Sequence, residues 1–378
     1  MPTDLSGSRF SVTYRLHGAG GQTRITAERL CADQTIEAPA ALLASCPIPA
    51  DLLGRLEEYS DHGHDTATAR ISFSMDLFGR SIPQLLHTLF GTASLTPGIR
   101  VMDLHLPSRL PEGWPGPRYG VAGIRRLLAI ARRPLVCAVL KPLGLSPQAL
   151  AALASEFARA GVDLIKEDQG LGDHSFCPFE ERVSRCLEAV RSATRSTGRR
   201  CLYVPHVAGS PHEVSAQIRF AGQAGVDGFL LSPGLIGYAT VHEWTNRAER
   251  AGPILAHPAF LGTYAAHPDS GLSPRVLYGQ LPRLIGADIS IFPACGSGFP
   301  VSRADCRDIA SACREPWSTL EPIFPTAAGR MNEGRIAEML DIFGRDVVFV
   351  LGSRVRLDPA GVTAACERFL TTLEHLAR

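Results

Sequence analysis

The stretch LVCAVLKPLGLSPQALAALASEFARAGVDLIKED, residues 135–168, contains the pattern that decides the fold. It begins with an apolar run at 135–140, continues into an amphipathic segment from Pro147, and ends in a second apolar run at 162–165. Short apolar runs indicate fully buried strands, and the segment between them has the period of a helix packed on one face. The stretch therefore predicts two buried strands joined by a helix.

The same alternation continues along the rest of the chain. The apolar runs lie at 135–142, 162–168, 201–207, 228–233, 254–259, 288–293, 321–329 and 346–352. Amphipathic segments follow them, and several begin after Ser, Thr or Asn and end near Gly, as helices do. Eight buried strands alternating with eight helices predict a (β/α)8 TIM barrel of the α/β class. A doubly wound open sheet is the alternative, and it is disfavoured because no GxGxxG motif follows the first strand.

The region before the barrel has a different pattern, in which short segments alternate apolar and polar residues. Strands are predicted at 9–16, 67–77 and 99–106, and helices at 26–31 and 81–90. Proline and glycine then crowd residues 106–120, which predicts an irregular connector. We therefore expect an α+β domain at 1–120 and the barrel domain at 121–378.

Composition and charge exclude several classes of protein. The 378 residues carry a net charge of +1, and no basic stretch alternates with aromatic residues, so neither nucleic acid nor a membrane surface is an expected partner. No signal peptide or membrane-spanning segment is visible, so we expect a cytoplasmic protein. The ten cysteines lack CxxC spacing, which favours buried thiols over disulfides or zinc ligands.

Only two of the 38 basic residues are lysines, namely Lys141 and Lys166. Arginine stays protonated in proteins, whereas lysine can act as a base, form a Schiff base or react with carbon dioxide. Codon bias accounts for the scarcity of lysine but not for the positions of these two. They end the first and second predicted barrel strands, where the loops of a TIM barrel converge over its active site. Both are therefore candidate catalytic residues.

Further candidates stand at the ends of other barrel strands. Small residues there let backbone N–H groups approach an anion, and barrels commonly hold phosphate after the seventh and eighth strands. The candidate phosphate-binding residues are Thr326, Ala327, Ala328 and Gly329 after the seventh strand and Gly352 and Ser353 after the eighth. Arg330 and Arg354 stand beside them and can supply positive charge. His206 and His257 end the third and fifth strands, where a role in the core is the alternative.

Several stretches resemble the RuBisCO large-chain family. They are KPLGLS at 141–146, GVDLIKEDQ at 161–169, WPGPRYGV at 114–121 and SFSMDLFGRSIPQLLHTLFG at 72–91. The resemblance runs in order through nearly the whole chain and includes both lysines. It implies a ferredoxin-like N-terminal domain, a C-terminal barrel, and a homodimer in which the partner's first domain completes each active site.

The resemblance also implies roles for individual residues. Lys166 matches a lysine that reacts with carbon dioxide to give a carbamate, whose oxygen would hold Mg²⁺ together with Asp168 and Gln169. The metal would stabilise an enediolate formed from a carbonyl substrate. Lys141 matches an acid/base lysine, and His257 matches an active-site histidine. The remaining matches are the phosphate loops at Thr326 to Gly329 and at Gly352, and Asp33 as the acidic residue lent by the partner.

Several positions depart from the family pattern in ways that concern carboxylation. Gln169 stands where the family has a carboxylate, so one negative charge is lost and binding of a divalent ion should weaken. Glu167 is a poor substitute because neighbouring residues on a strand point to opposite faces. The loop after the sixth strand, PACGSGFP at 293–300, has no lysine to hold carbon dioxide, and the KPKLG motif is shortened to KPLG. These losses predict that carboxylase activity is absent.

Other departures concern the substrate. Pro258 and Ile291 replace an arginine and a histidine that serve one of the family's two phosphate sites, and Thr88 replaces an asparagine. With one phosphate site lost and the small-residue site kept, we expect the substrate to be a sugar monophosphate.

Three functions remain open. The first is Mg²⁺-dependent enolisation of a phosphorylated keto-sugar or keto-sugar acid. Within it, decarboxylation of a keto-sugar-acid phosphate is favoured over isomerisation of methylthioribulose phosphate. The second is Schiff-base chemistry at Lys141 or Lys166. The third is a barrel that binds a sugar phosphate in a regulatory role without turnover.

Overall fold

The computed structural model describes residues 5–39, 45–46, 48–110, 112–247 and 252–377, so residue 111 of the predicted connector lies outside the described residues. The chain divides into two compact units. Unit 1 comprises Met1–Pro115, Leu261–Leu281 and Pro316–Leu320, and unit 2 comprises Gly116–Phe260, Pro282–Glu315 and Glu321–Arg378. Strands and helices are numbered along the whole chain.

Unit 1 is built on a mainly antiparallel sheet in the order β10-β4-β1-β3-β2. The strands are β1 (Arg9–His17), β2 (Arg55–Gly63), β3 (Thr66–Ser74), β4 (Ile99–His105) and β10 (Gly271–Leu272), and the helices are α1 (Gln22–Asp33) and α2 (Ile82–Phe90). β1 pairs with both β3 and β4, and its fully buried residues alternate with partly exposed ones. The sequence did not predict β2, because its residues are polar and mostly exposed. The expected α+β fold of this unit is confirmed.

Unit 2 contains eight parallel strands in the order β7-β6-β5-β13-β12-β11-β9-β8. They are β5 (Leu135–Leu140), β6 (Leu164–Glu167), β7 (Leu202–Val204), β8 (Phe229–Leu231), β9 (Ile254–Ala256), β11 (Ile289–Ser290), β12 (Phe324–Ala328) and β13 (Val348–Leu351). A parallel bridge links His206, two residues after the end of β7, to Leu230 of β8, so the segments of the two outer strands meet. The sheet therefore closes on itself, which confirms the predicted barrel and makes the open-sheet alternative wrong.

Helices separate the barrel strands along the chain. They are α3 (Gly120–Leu128), α4 (Pro147–Arg159), α5 (Phe179–Thr197), α6 (Pro211–Ala224), α7 (Pro233–Ile236), α8 (Tyr238–Thr245), α9 (Leu281–Leu284), α10 (Arg303–Arg314), α11 (Ile336–Phe343) and α12 (Gly361–Leu376). Three of the long helices begin after a serine, at Ser146, Ser210 and Ser302, whose hydroxyl accepts a backbone N–H of the first turn. These caps satisfy N–H groups that the helix itself leaves without partners, which explains why the helices begin there.

The barrel interior is filled by alternate residues of its strands. Cys137 and Val139 of β5, Leu164 of β6 and Leu255 of β9 belong to one buried apolar cluster. Side chains of a strand alternate between two faces, so the next interior position after Leu164 is Lys166. The same count leads from Val139 to Lys141 and from Leu255 to His257. The fold thus directs these three polar side chains toward the carboxyl ends of the strands.

The state of the cysteines agrees with the sequence. All ten are free thiols, and all except Cys46 are buried. Among the described residues, no helix is both long and apolar enough to cross a membrane.

Candidate active site

The two lysines lie on neighbouring strands at the carboxyl end of the barrel. Lys141 directly follows β5, and Lys166 of β6 pairs with Val139 of β5. Lys166 is only 2% exposed, and its Nζ donates a hydrogen bond to the carbonyl of Glu167 at 3.1 Å. Burial lowers the pKa of Lys166 to about 8. A substantial fraction of this amine is therefore neutral near physiological pH, and the neutral form is the nucleophile.

Asp168 brings a carboxylate to the same place. Its Oδ1 lies 3.1 Å from Nζ of Lys141, within ion-pair distance. Among the described residues, this buried oxygen accepts no hydrogen bond of normal geometry, so the pair is electrostatic only. A methyl group built on Gly170 would lie 3.7 Å from Oδ2 of Asp168 and 3.8 Å from Cδ2 of Leu143. The carboxylate and the apolar side chain of Leu143 therefore flank the same glycine.

The oxygen ligands available around Asp168 suit a hard cation only in part. A buried carboxylate oxygen without a hydrogen-bond donor is a suitable ligand for such an ion, and half-buried Gln169 adds an amide oxygen next along the chain. The described residues contain no group of three His, Cys, Asp or Glu side chains that could hold a metal. A metal site here therefore depends on a further anionic oxygen, which a carbamate on Lys166 would provide.

His206 is a fully paired buried histidine. Its Nδ1 lies 2.9 Å from the carbonyl of Leu171, and its Nε2 lies 3.3 Å from the hydroxyl of Ser232. Because a carbonyl only accepts, Nδ1 carries the proton of the neutral ring. Burial lowers the pKa of His206, which keeps the ring neutral. This arrangement favours a role of His206 in the core over direct contact with a substrate.

His257 has a different environment. The backbone N–H of Ala259 donates to its Nδ1 at 3.1 Å, so the proton of the neutral ring lies on Nε2. Burial, followed by the charge of Lys166, lowers the pKa of His257 to about 2. The histidine is therefore a neutral hydrogen-bond donor at any ordinary pH.

The residues at the end of β12 form a tight corner. The hydroxyl of Thr326 accepts the backbone N–H of Phe292 at 3.2 Å, and the carbonyl of Ala328 accepts that of Ala294. Gly329 has a φ of +88°, and a Cβ there would lie 2.5 Å from Cβ of Ser297, so no larger residue fits. Thr326 thus supports the neighbouring loop, and Gly329 lets that loop approach closely.

Arg330 follows this corner with a φ of +53°, a left-handed conformation that arginine rarely adopts. Its guanidinium lies against Gly298, where a Cβ would come within 3.0 Å of it. At the end of β13, Gly352 has open space around it, and Ser353 begins a 3₁₀ turn that contains Arg354. The structure therefore brings both candidate arginines to the corners that follow the seventh and eighth strands.

Asp33 belongs to unit 1, where it ends α1. It lies 3.4 Å from Arg29 and lines a cleft of about 360 Å³ with Glu37 and Thr92. Its assignment as a residue lent by a partner subunit stays a prediction. Thr88, also in unit 1, is buried and donates its hydroxyl to the carbonyl of Gln84, as a helix residue does.

The two departures on the barrel have different surroundings. Ile291 belongs to the apolar cluster of the interior, where it replaces a polar group with a packing residue. Pro258 directly follows His257 and is half-buried. Neither side chain can bind phosphate, and the loss of one phosphate site stays a prediction.

Sequence reasoning missed an apolar rim on the barrel. Six exposed large apolar side chains stand in segments that follow six different strands, namely Leu143, Phe176, Leu235, Phe260, Phe299 and Leu357. Phe176 stacks on His174 at 4.9 Å between ring centroids. These residues are scattered along the sequence, and only closure of the barrel gathers the ends of their strands on one side.

Comparison with known proteins identifies the family of the chain. The family model described as the ribulose bisphosphate carboxylase large chain, catalytic domain, matches residues 120–296. The ribulose bisphosphate carboxylase-like protein 1 of Rhodopseudomonas palustris is 36% identical over 366 residues, which cover 97% of each chain. The chain therefore belongs to the RuBisCO large-chain family.

This RuBisCO-like chain has other close relatives. It is 34% identical to the 5-methylthioribulose-1-phosphate isomerase of Rhodospirillum rubrum, over 92% of this chain and 91% of that one. The crystal structure of a Rubisco-like protein from Rhodopseudomonas palustris shares its fold with a TM-score of 0.88 and 33% identity, covering 98% and 99% of the two chains. The resemblance inferred from the lysine motifs is thereby confirmed.

Proposed function

We propose that this RuBisCO-like chain is a Mg²⁺-dependent enzyme that enolises a phosphorylated ketose, without carboxylase activity. The observation that carries the proposal is the convergence of Lys141, Lys166 and Asp168 at the carboxyl end of the barrel, with Asp168 Oδ1 3.1 Å from Lys141 Nζ. Lys141 and Lys166 are the only lysines of the chain, and both lie at the end of the barrel where TIM-barrel enzymes have their active sites.

Lys166, Asp168 and Gln169 are the residues that would hold the metal. The neutral Nζ of Lys166 attacks the carbon of carbon dioxide and forms an N–C bond, while one C=O π pair moves onto oxygen. The nitrogen then loses one proton to water, which leaves an anionic carbamate. The pKa of about 8 for Lys166 makes this step accessible, because desolvation favours the neutral amine. When bound, Mg²⁺ would stabilise the oxygens of an enediolate.

The other side chains provide proton transfer and orientation. Lys141 removes or returns a proton at the carbon next to the substrate carbonyl, as its place beside Asp168 allows. His257 offers its Nε2–H to a substrate oxygen, since Nδ1 already accepts the N–H of Ala259. Arg330, Arg354 and the backbone at Gly329 and Gly352 bind a single phosphate.

The apolar rim favours one class of substrate within this proposal. Leu143 lies beside the glycine that Asp168 also flanks, so an apolar group stands next to the reacting region. A methylthio-sugar phosphate has an apolar end that such a surface can accept. The carboxylate of a keto-sugar-acid phosphate would instead lose its solvation there. The relative in Rhodospirillum rubrum is named for 5-methylthioribulose 1-phosphate. We therefore place methylthioribulose phosphate ahead of the keto-sugar-acid phosphate that the sequence favours.

The proposal includes a homodimer in which the partner subunit supplies Asp33. Mixed dimers of an Asp33→Asn chain and a Lys166→Arg chain test it, because one of the two sites in each mixed dimer has both native residues. Recovery of activity on mixing two inactive variants supports a shared site. Activity of the Asp33→Asn variant equal to that of the native protein contradicts it.

The first experiment on the proposed function follows the carbamate directly. Protein is incubated with ¹³C-bicarbonate, with and without Mg²⁺, and the carbamate resonance is followed by carbon NMR, with Lys166→Arg as control. We expect a resonance that Mg²⁺ strengthens and the variant lacks. Exchange of the substrate's α-proton in deuterium oxide then tests enolisation. No resonance under any condition contradicts the metal-dependent proposal.

Schiff-base chemistry is the second candidate, because the lowered pKa of Lys166 also suits attack on a carbonyl carbon. Borohydride added with substrate would reduce such an adduct to a stable secondary amine, and mass spectrometry would detect it. An adduct at Lys166 without a carbamate resonance favours this candidate over the first.

A further inference from the structure

Glu167 stands between Lys166 and Asp168 in the chain but points the other way. It is fully buried, and its carboxylate accepts three hydrogen bonds. Arg182 Nε donates at 2.7 Å and the Tyr203 hydroxyl at 2.6 Å, both to Oε1, and the backbone N–H of His206 donates to Oε2 at 3.0 Å. The carboxylate is therefore held from α5, from β7 and from the segment that follows β7.

Arg182 extends this network into the loop after β6. The side chain is fully buried on α5, and its Nη1 donates to the carbonyls of Gly172 and Cys177, each at 2.9 Å. These carbonyls lie near the two ends of the loop that follows Asp168 and Gln169. One guanidinium thus connects the carboxylate on the strand to the loop that begins with the two candidate metal ligands.

His206 connects the same strand and loop by a second route. Its backbone binds Glu167, and its ring Nδ1 donates to the carbonyl of Leu171. The backbone N–H of Leu171 in turn donates to the carbonyl of Asp168 at 3.0 Å. Buried polar contacts therefore hold the chain at several points between Lys166 and Gly172.

The energetics of the Glu167–Arg182 pair favour a positioning role. Burial removes both charges from water, and their mutual attraction offsets this loss of solvation free energy only in part. An apolar pair of equal volume often stabilises a fold at least as much as a buried ion pair does. Partners of metal ligands, in contrast, commonly set the affinity of the site. We propose that Glu167 and Arg182 are positioning residues that fix Lys166 and the Asp168–Gln169 segment for metal binding. This inference rests on the proposed function.

Two variants test the proposal. Arg182→Lys keeps the positive charge but cannot span Glu167 and both loop carbonyls, because lysine lacks the planar fork of arginine. Tyr203→Phe removes one donor to Glu167 and leaves the ion pair intact, so it also serves if Arg182→Lys does not fold. The matched control is Arg133→Lys. Arg133, before β5, lies 2.6 Å from Asp163, directly before β6, and the two form an ion pair.

The measurement is the Mg²⁺ concentration that gives half of the maximal ¹³C-carbamate resonance, with thermal unfolding recorded in parallel. We expect this concentration to rise at least tenfold in Arg182→Lys and about threefold in Tyr203→Phe. In Arg133→Lys it should stay at the native value, even if the melting temperature falls.

The possible outcomes separate this proposal from the proposed function. A native resonance that Mg²⁺ strengthens, together with unchanged Mg²⁺ dependence in Arg182→Lys and Tyr203→Phe, overturns the positioning role alone. Equal shifts in Arg182→Lys and Arg133→Lys also overturn it, because another ion pair of the barrel would then have the same effect. Absence of the resonance in the native protein overturns the proposed function and this inference with it.

Discussion

Nζ of Lys141 lies 3.1 Å from Oδ1 of Asp168, so the proposed base and the proposed metal ligand form an ion pair. The same oxygen accepts no hydrogen bond of normal geometry among the described residues. Its negative charge is therefore available either to the ammonium of Lys141 or to a divalent cation. The two positive charges compete for one carboxylate.

This competition predicts opposite effects of one substitution. Lys141→Met removes the competing charge, so Mg²⁺ should bind about tenfold more tightly. The same variant loses its acid/base group, so exchange of the substrate's α-proton should slow by about 10²-fold or more. Calorimetric titration with Mg²⁺ in bicarbonate and proton NMR of the substrate measure the two effects. Weaker Mg²⁺ binding in Lys141→Met would contradict the competition.

Gln169 provides a second prediction about the metal. Gln169→Glu restores a negative charge at this position, so Mg²⁺ should bind about tenfold more tightly. Gln169→Met has a similar volume but no oxygen ligand, and it should bind Mg²⁺ more weakly than the native chain. If Gln169→Met and the native chain have equal affinity in the same titration, Gln169 is not a ligand.

The fold and the strand-end positions of the two lysines followed from the sequence for a physical reason. Buried parallel strands have apolar side chains on both faces, so the run at 135–140 was recognisable without knowledge of its neighbours. Because βα loops converge at one end of a barrel, the ends of those runs located Lys141 and Lys166 correctly. Strand β2 was missed because its polar, exposed residues give no such signal.

The energetic details of the site depend on contacts that the sequence does not display. From the alternation of strand residues, the sequence predicted that Glu167 is a poor substitute ligand, but it did not indicate Arg182 and Tyr203 as its partners. Those residues lie 15 and 36 positions further along the chain. The lowered pKa of Lys166 similarly arises from burial, which depends on the whole barrel.

Arg330 provides a third prediction. A left-handed backbone costs a non-glycine residue about 1–2 kcal/mol, and such strain persists mainly where a side chain is needed. Arg330→Gly and Arg330→Gln should each weaken binding of inorganic phosphate and of substrate about tenfold, because each removes the guanidinium. Only the glycine variant relieves the backbone, so it should unfold at a higher urea concentration than the glutamine variant. Phosphate affinity equal to that of the native chain in both variants would contradict the role.

The buried histidines provide a prediction about pH. The folded-state pKa values of His206 and His257 lie below the unfolded value of about 6.5, so below that pH the unfolded chain binds protons that the folded chain does not. The free energy of unfolding should therefore decrease as pH falls from about 6.5, by at most about 1.4 kcal/mol per pH unit for each histidine. For His257 the loss should continue until the pH approaches its folded pKa of about 2.

Urea unfolding at pH 7 and pH 5 measures this effect. The variant His257→Gln should show a smaller loss of stability between the two pH values than the native chain. His62→Gln replaces an exposed histidine of unit 1 and should not alter the difference. If His257→Gln and the native chain lose the same stability between pH 7 and pH 5, the histidine is protonated in the folded protein.

The apolar rim leads to a prediction that separates the two classes of substrate. Leu143 is half exposed beside the glycine that Asp168 flanks, so its side chain can contact a substrate held near the lysines. Leu143→Ser removes apolar surface, and KM for a methylthio-sugar phosphate should rise about tenfold with little change in kcat. For a keto-sugar-acid phosphate the same variant should leave KM unchanged or lower it, because a carboxylate gains a polar neighbour. Leu376→Ser, at an exposed position of α12, is the matched control. If the chain turns over only the keto-sugar-acid phosphate and Leu143→Ser leaves KM unchanged, the apolar rim does not bind the substrate. The keto-sugar-acid phosphate would then be the favoured substrate class.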